Sequence, residues 1–317
     1  MPRVSIVMPT YNCAAYIPES IQSVLNQDFQ DFELIIVDDG STDDTENIVS
    51  YFEDVLKDRL IYIKTENQGA SQARNTALKS CRGEFIAFLD ADDIWMSKKL
   101  STQLKVFEQF SDIALVFSDA LIVDASGKSF NKNYIKPWEI NLPAREIYGQ
   151  ILAKRNFIPF STIITKKSII NDIGVFDDAF KSSQDTDWLL RIAVKYEIKA
   201  VNETLSHYRV HPTAISRNIG LRKHDTIAIL LKNLNLETPL SPSIKKEIRT
   251  RIAENYYEWG YDEFEHNRFS NAREKFICSM HYSATRYPEK YYYSFLTLLP
   301  LNIIERLRTV KRKVITP

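Results

Sequence analysis

At 317 residues the chain has room for one sizeable domain with an appendage, or for two domains. Lys+Arg and Asp+Glu each number 41, so the formal net charge is zero, which disfavours a general nucleic-acid binder with its usual basic excess. Cys13, Cys81 and Cys278 are odd in number and lack CxxC spacing, which excludes a disulfide framework and points to free thiols in a reducing compartment.

The chain runs straight into an apolar segment at Val4–Val7, so no signal peptide is expected. The longest apolar stretch, around Phe295–Ile304, is broken by Pro300 and is shorter than the ~20 residues a bilayer span needs. A soluble, cytoplasmic protein is the expectation. From the N-terminus, strand and helix alternate. Val4–Val7 ends at Pro9-Thr10-Tyr11-Asn12, and Ile17, Ile21, Val24 and Leu25 follow at helical spacing. Phe32–Val37 reads as a second strand ending in Asp38-Asp39-Gly40-Ser41-Thr42-Asp43, with Ser41 or Thr42 expected to cap the next helix. Leu60–Lys64 is a third strand leading to Glu66-Asn67-Gln68-Gly69, and the helix after it stops near Gly83. A helix around Lys98–Phe110 and a fifth strand, Ala114–Ser118, extend the series. Such alternation predicts a mainly parallel sheet with helices on both faces.

The fourth strand is the informative one. Phe85–Leu89 is a buried-type apolar run, yet Asp90, Asp92 and Asp93 arrive at its end, where folding alone asks for no carboxylates. Clustered carboxylates repel unless a positive group lies between them, and a divalent metal carrying a phosphorylated ligand satisfies that need. Each polar cluster follows a strand, and ligands of open α/β sheets bind beyond the carboxyl ends of strands. Thr10–Asn12, Asp38–Asp39, Asn67–Gly69 and Asp90–Asp93 therefore converge on one expected crevice. Neither GxGxxG nor GxxxxGK[ST] is present, so a dinucleotide or P-loop reading lacks its phosphate-cradling glycines.

The segments PTYN (9–12), VDDGSTDDT (37–45), NQGASQARN (67–75) and LDADD (89–93) resemble the nucleotide-sugar half of family 2 glycosyltransferases, which have the GT-A fold. STIITKKSIINDIGVFDD (161–178), SSQDTDWLLRIA (182–193) and HYRVHPTAIS (207–216) are similar to the acceptor half of that family. Two departures are visible: Gln184 stands where glutamate is usual, and Ile173-Gly174 replaces a Gly-Gly pair. The resemblance implies a GT-A domain over 1–217, Rossmann-like, with nucleotide-sugar and acceptor halves. It also implies a donor site formed by Pro9, Thr10, Tyr11, Asp39, Asn67, Arg74, Asp90, Ala91 and Asp92. The DXD motif maps to Asp90-Ala91-Asp92, with Asp92 on a Mn²⁺ or Mg²⁺ ion and Asp90 on the ion through water or on the ribose. Asp39 would face the nucleobase, which favours uracil through its N3–H. Arg74 either reaches the diphosphate or stands as a solvated helix-face arginine.

The family inverts in one displacement, for which a single general base suffices. The resemblance places Asp185 there, while as a bare pattern Asp185 and Asp187 also read as first-turn acids favoured by the helix dipole. Trp188 is expected on the acceptor side or in the core. His211, also in the acceptor half, is assigned to a loop near the diphosphate, and residues 211–218 are expected to close over the donor. His207 and His211 are four apart on a strand, roughly 13 Å by strand rise and too far to share an ion.

Beyond residue 217 the pattern becomes all-helical. Ile244, Ile248, Ile252, Tyr256 and Trp259, then Phe269, Ala272, Phe276 and Met280, suggest a tetratricopeptide-like hairpin within an extension over 218–317. Its basic, apolar end (Tyr291–Val314) reads either as a solvated packed helix or as a surface for an anionic membrane or a second copy. The sequence thus predicts an inverting, metal-dependent glycosyltransferase. Its partners would be a UDP-sugar and a glycan or lipid-linked acceptor, with no nucleic acid, in surface polysaccharide assembly in the cytoplasm or at the inner face of the membrane. The competing reading is an idle GT-A domain serving as a scaffold through its helical tail.

Overall fold

The computed structural model describes residues 1–136, 142–212, 219–236, 240–305 and 307. It separates into two compact units: Met1–Ile151 with Arg155–Arg217, and Leu152–Lys154 with Asn218–Pro317.

The first unit is built on a sheet of nine strands. β1 (Val4–Thr10), β2 (Phe32–Asp38), β3 (Leu60–Lys64) and β4 (Phe85–Phe88) form a parallel block in the order β3-β2-β1-β4. β1 and β2 are buried at nearly every position and mostly apolar because both faces are covered, as parallel strands require. Connecting segments include α1 (Ile17–Leu25), the short α2 (Thr45–Ser50) and α3 (Glu53–Leu56), and α4 (Ala70–Ser80). Ile17, Ile21 and Val24 of α1 enter the core, together with Ser20 and Ser23 on the same stripe.

After β4 the parallel pattern ends. β5 (Ile94–Trp95) is two residues long and precedes α5 (Lys99–Gln109). β6 (Ile113–Asp124) does not join β4: β8 (Ile164–Lys166) lies between them, antiparallel to both. β7 (Ser129–Asn133) pairs with β6, and β9 (Glu197–Val210) runs parallel to β6 and antiparallel to β5. The sheet is therefore parallel through four strands and mixed beyond. α6 (Ala144–Ala153), a 3₁₀ turn at Phe160–Thr162, α7 (Lys167–Ile173) and α8 (Gln184–Lys195) complete this region.

The second unit contains α9 (Ile219–Leu234), α10 (Pro242–Glu265), α11 (Phe269–Tyr282) and α12 (Glu289–Leu296), with residues 301–305 also helical. Ser241 caps α10 by accepting the Ile244 N–H at 3.3 Å, and Pro242 follows in the first turn. Phe264, Ala272, Phe276, Tyr293, Leu296 and Ile304 form its core. Gly260 is needed there, because a Cβ at this position would meet Phe276 at 2.9 Å. All three cysteines are free thiols.

Candidate active site

Sheet register brings strand ends together, with Thr10 opposite Asp38 and Val7 opposite Phe88. Past β1, Asn12 takes a left-handed conformation. Its N–H donates to Ser41 Oγ at 2.9 Å, and its Oδ1 accepts the Thr42 N–H at 2.8 Å. Ser41 and Thr42 thus tie two loops together and cap no helix, since α2 begins only at Thr45. Gly40, at φ +79°, lets this loop pass the third: a Cβ would meet the Asn67 backbone nitrogen at 2.9 Å. Asp39 is buried and accepts the N–H groups of Gln68 and Gly69 at 2.8 and 2.7 Å, fixing the turn that opens α4. Pro9 is half-buried, while Tyr11 and Asn67 are exposed. Thr10 is buried, and its hydroxyl has no hydrogen-bond partner, an arrangement that costs stability unless a ligand supplies one.

The carboxylate turn is bound from several sides. Ser20 of α1 directs its hydroxyl to the carbonyls of Ala91 (2.8 Å) and Asp93 (2.6 Å), and Ser161 Oγ accepts the Asp90 N–H at 3.1 Å. Arg209, on β9, donates from Nε to the Asp92 carbonyl at 2.8 Å and from Nη1 to the Ala125 carbonyl at 2.9 Å, and it also pairs with Glu19. Asp93 is fully enclosed, holding the Arg209 N–H at 2.9 Å and Ser161 Oγ at 2.5 Å. Burial, with the charges of Asp92 and Asp90 added, pushes its carboxyl well above the usual range. Asp93 caps no helix: Ile94–Trp95 first pairs with β9, and α5 starts only at Lys99. Asp93 anchors the turn instead.

The two remaining carboxylates point to different partners. Asp92 Oδ2 lies 2.8 Å from His211 Nε2, and the His211 ring packs on Tyr16 at 4.7 Å. His211 therefore stands beside the carboxylate turn. Asp90 Oδ1 pairs with Arg74 Nη2 at 2.5 Å. Arg74 is no solvated helix-face residue: it is buried, its guanidinium lies 4.9 Å from the Phe160 ring, and its Nε and Nη1 have no hydrogen-bond partner. Burial, followed by the charges of Asp92, Asp43, Asp90 and Asp93, pushes the Cys13 thiol up and out of the reactive range.

Asp185 occupies the first turn of α8 and is half-buried. Its Oδ1 accepts the Thr186 N–H at 2.7 Å, and Asn156 Nδ2 stands 3.4 Å from Oδ2. Burial raises its carboxyl above the usual range. The Arg74 charge and the Thr186 N–H oppose that rise, and Asp90 adds to it. Asp185 thus shares an electrostatic neighbourhood with Arg74 and Asp90, far as it is from them in sequence. A carboxylate whose proton affinity is raised by burial can accept a proton. Asp187, two residues on, is the structural acid, buried against Arg191 at 3.0 Å.

The profile of Glycosyl transferase family 2 matches residues 5–174. The chain belongs to this family. The likeness to one curated relative is not fragmentary: the UDP-Glc:alpha-D-GlcNAc-diphosphoundecaprenol beta-1,3-glucosyltransferase WfaP of Escherichia coli is 34% identical over 248 residues, covering 73% of this chain and 92% of that protein. Among solved structures, Staphylococcus aureus TarS 1-349 in complex with UDP superposes with a TM-score of 0.64 at 22% identity, over 94% of this chain and 89% of that one. The mannosyltransferase PcManGT from Pyrobaculum calidifontis, in complex with GDP-Man and Mn²⁺, gives 0.57 at 17% identity, over 94% and 84%. The protein is a family 2 glycosyltransferase with the GT-A fold.

Family membership raises the question of a metal. Asp92 oxygen and His211 nitrogen meet at 2.8 Å; the carboxylate suits Mn²⁺ or Mg²⁺, and the imidazole nitrogen suits Mn²⁺ better than the oxygen-seeking Mg²⁺. Among the described residues no three His, Cys, Asp or Glu side chains converge as a closed protein cage would need. Ions bound with substrate phosphates use only one or two carboxylates, so the residues present fit. Of the two places expected for Trp188, the structure puts it in the core: it is fully buried, edge-on to Phe88 and Phe160 and beside Phe176, and supports α8 from within. Residues 213–218 of the expected closing loop lie outside the described residues. Sequence reasoning missed Ser20, Ser161 and Arg209. The signal for Ser20 was a hydroxyl on the apolar stripe of α1.

Proposed function

We propose that this glycosyltransferase is inverting and metal-dependent, and that it transfers a sugar from a UDP-sugar to a hydroxyl of a lipid-linked or glycan acceptor in polysaccharide assembly. The observation that carries the reading is Asp185: a raised, half-buried carboxylate in reach of the field of Arg74 and Asp90, at the start of a helix held by its own apolar core. Asp185 takes the proton of the acceptor hydroxyl as that oxygen attacks the anomeric carbon from the face opposite the leaving diphosphate. Asp92 and His211 would hold a divalent ion, which when bound supplies Lewis-acid neutralisation of the departing diphosphate. Arg74, with Nε and Nη1 unpartnered, offers donors to the same leaving group. The orphaned Thr10 hydroxyl and the buried Asp39 carboxylate line the nucleotide side. Each carboxylate oxygen of Asp39 accepts one backbone N–H and retains capacity for a uracil N3–H.

The UDP-bound neighbour and the WfaP name, with its UDP-Glc donor and diphosphoundecaprenol acceptor, support the donor and acceptor classes. The test is hydrolysis and transfer across a panel of nucleotide sugars, each with Mn²⁺ and again with EDTA. A UDP-sugar should be consumed only with metal. Equal turnover in EDTA, or consumption of a GDP-sugar alone, would overturn the metal or the donor assignment.

A further inference from the structure

The second unit carries a surface that its own core does not explain. Tyr293, Leu296 and Ile304 turn inward against Phe264 and Phe276. Between and around them, Tyr292, Phe295, Leu298 and Leu301 recur at every third residue and are 51%, 60%, 60% and 46% exposed, with Ile303 exposed as well. A helix that packs one face on a core normally presents polar residues on the other. Here no Asp, Glu, Lys or Arg occurs from Tyr291 through Ile304. After a single acid, Glu305, residues 306–317 contain Arg306, Arg308, Lys311, Arg312 and Lys313 and no further acid.

An uncharged, aromatic-bearing segment joined through Glu305 to a run with five cations matches one kind of partner. We propose that the exposed Tyr292–Ile303 surface docks on an anionic lipid bilayer, with the aromatic and leucine side chains in the headgroup layer and the basic run against the lipid anions. Tyr and Phe suit the boundary between water and hydrocarbon. Each Lys or Arg near an anionic surface strengthens binding about fivefold. A second copy of the chain is a poorer occupant, because it would bring an identical cationic run against the first. Among the described residues no helix is long and apolar enough to cross a membrane, so the contact is a surface one. The proposal stands apart from the catalytic reading, since a failed donor assay leaves it untouched.

Co-sedimentation of the full chain with vesicles tests it, using phosphatidylcholine alone and phosphatidylcholine mixed with phosphatidylglycerol. Binding to the mixed vesicles only, weakened by salt, is expected. Phe295→Ser with Leu298→Ser should weaken it about tenfold or more, and Lys311→Gln, Arg312→Gln and Lys313→Gln together about 100-fold. Circular dichroism and melting confirm that the variants remain folded. No binding to either vesicle would overturn the proposal, as would binding that ignores lipid charge. Self-association abolished by the Phe295/Leu298 change, without vesicle binding, would give the surface to a second copy.

Discussion

The turn after β4 and the first turn of α8 both present aspartates, but they are built in opposite ways. In the β4 turn nearly every polar atom is spoken for: Ser20 holds two carbonyls, Arg209 a third, Ser161 an amide, and Asp93 is saturated. In the α8 turn, Asp187 is locked by Arg191, while Asp185 takes its neighbour's amide at 2.7 Å and longer contacts from the Thr186 hydroxyl and Asn156 at 3.3 and 3.4 Å. The β4 turn is over-determined. Donors as long as the last two hold an ionised carboxylate weakly, which suits the base role proposed for Asp185, because strong donors would make it a poor base.

The sharpest way to break this comparison is Asp185→Asn. Turnover should fall about 10²–10⁴-fold, while metal-dependent nucleotide binding, followed by calorimetry, stays intact. Stability at neutral pH should change by less than about 1 kcal/mol, because Asn serves a helix start as well as Asp. The sign favours the variant: a carboxyl whose folded pKa is raised contributes stability at low pH that is lost as pH rises through that value. A variant retaining most of its turnover removes Asp185 from the mechanism. His211→Gln should act on the other side, weakening Mn²⁺-dependent nucleotide binding by about 10–100-fold, and unchanged metal titration would separate His211 from the ion.

Ser161→Ala probes over-determination itself. It strips a donor from enclosed Asp93 and should cost about 1–3 kcal/mol in urea unfolding, with weaker donor binding in parallel. A loss below that range means the turn is less dependent on this bond than its geometry suggests. The smallest effect is a displacement on the pH axis. The acid limb of kcat/KM should lie above the ordinary aspartate range, since burial raises Asp185. Arg74→Met removes a charge that lowers Asp185, so the limb should move to higher pH, whatever the loss in donor affinity. A limb that stays put would show that Arg74 does not reach the base.

Much of the donor half was legible because parallel strands declare themselves as apolar runs and their ends as polar breaks. Thr10, Asp39 and Asp90 lie where that logic puts them, at strand ends. Beyond β4 the alternation misled: Ala114–Ser118 reads as the next parallel strand, yet β8 is inserted from 50 positions later in the chain, and local pattern carries no information about such long-range pairing. The same blindness hid Ser161 and Arg209, whose partners are 68 and 117 residues away in sequence. Arg74 was ambiguous for another reason. A helical arginine reads as solvent-facing by default, and only the Phe160 and Phe176 rings reveal that its side is buried.

One set of bonds has a bearing on engineering. Asn75 of α4 pairs with the Phe176 backbone through two reciprocal bonds of 2.9 Å, Ser71 holds the Phe180 carbonyl at 3.0 Å, and Gln72 reaches Asp178 at 2.5 Å. The helix bearing Arg74 is thereby laced to the segment that delivers α8. A chimaera that exchanges the acceptor half at the boundary between the halves would cut this lacing. Grafts that carry Ser71, Gln72 and Asn75 along with their partner segment would keep Asp185 in register with Arg74, so the exchangeable module is a helix and a distant loop taken together.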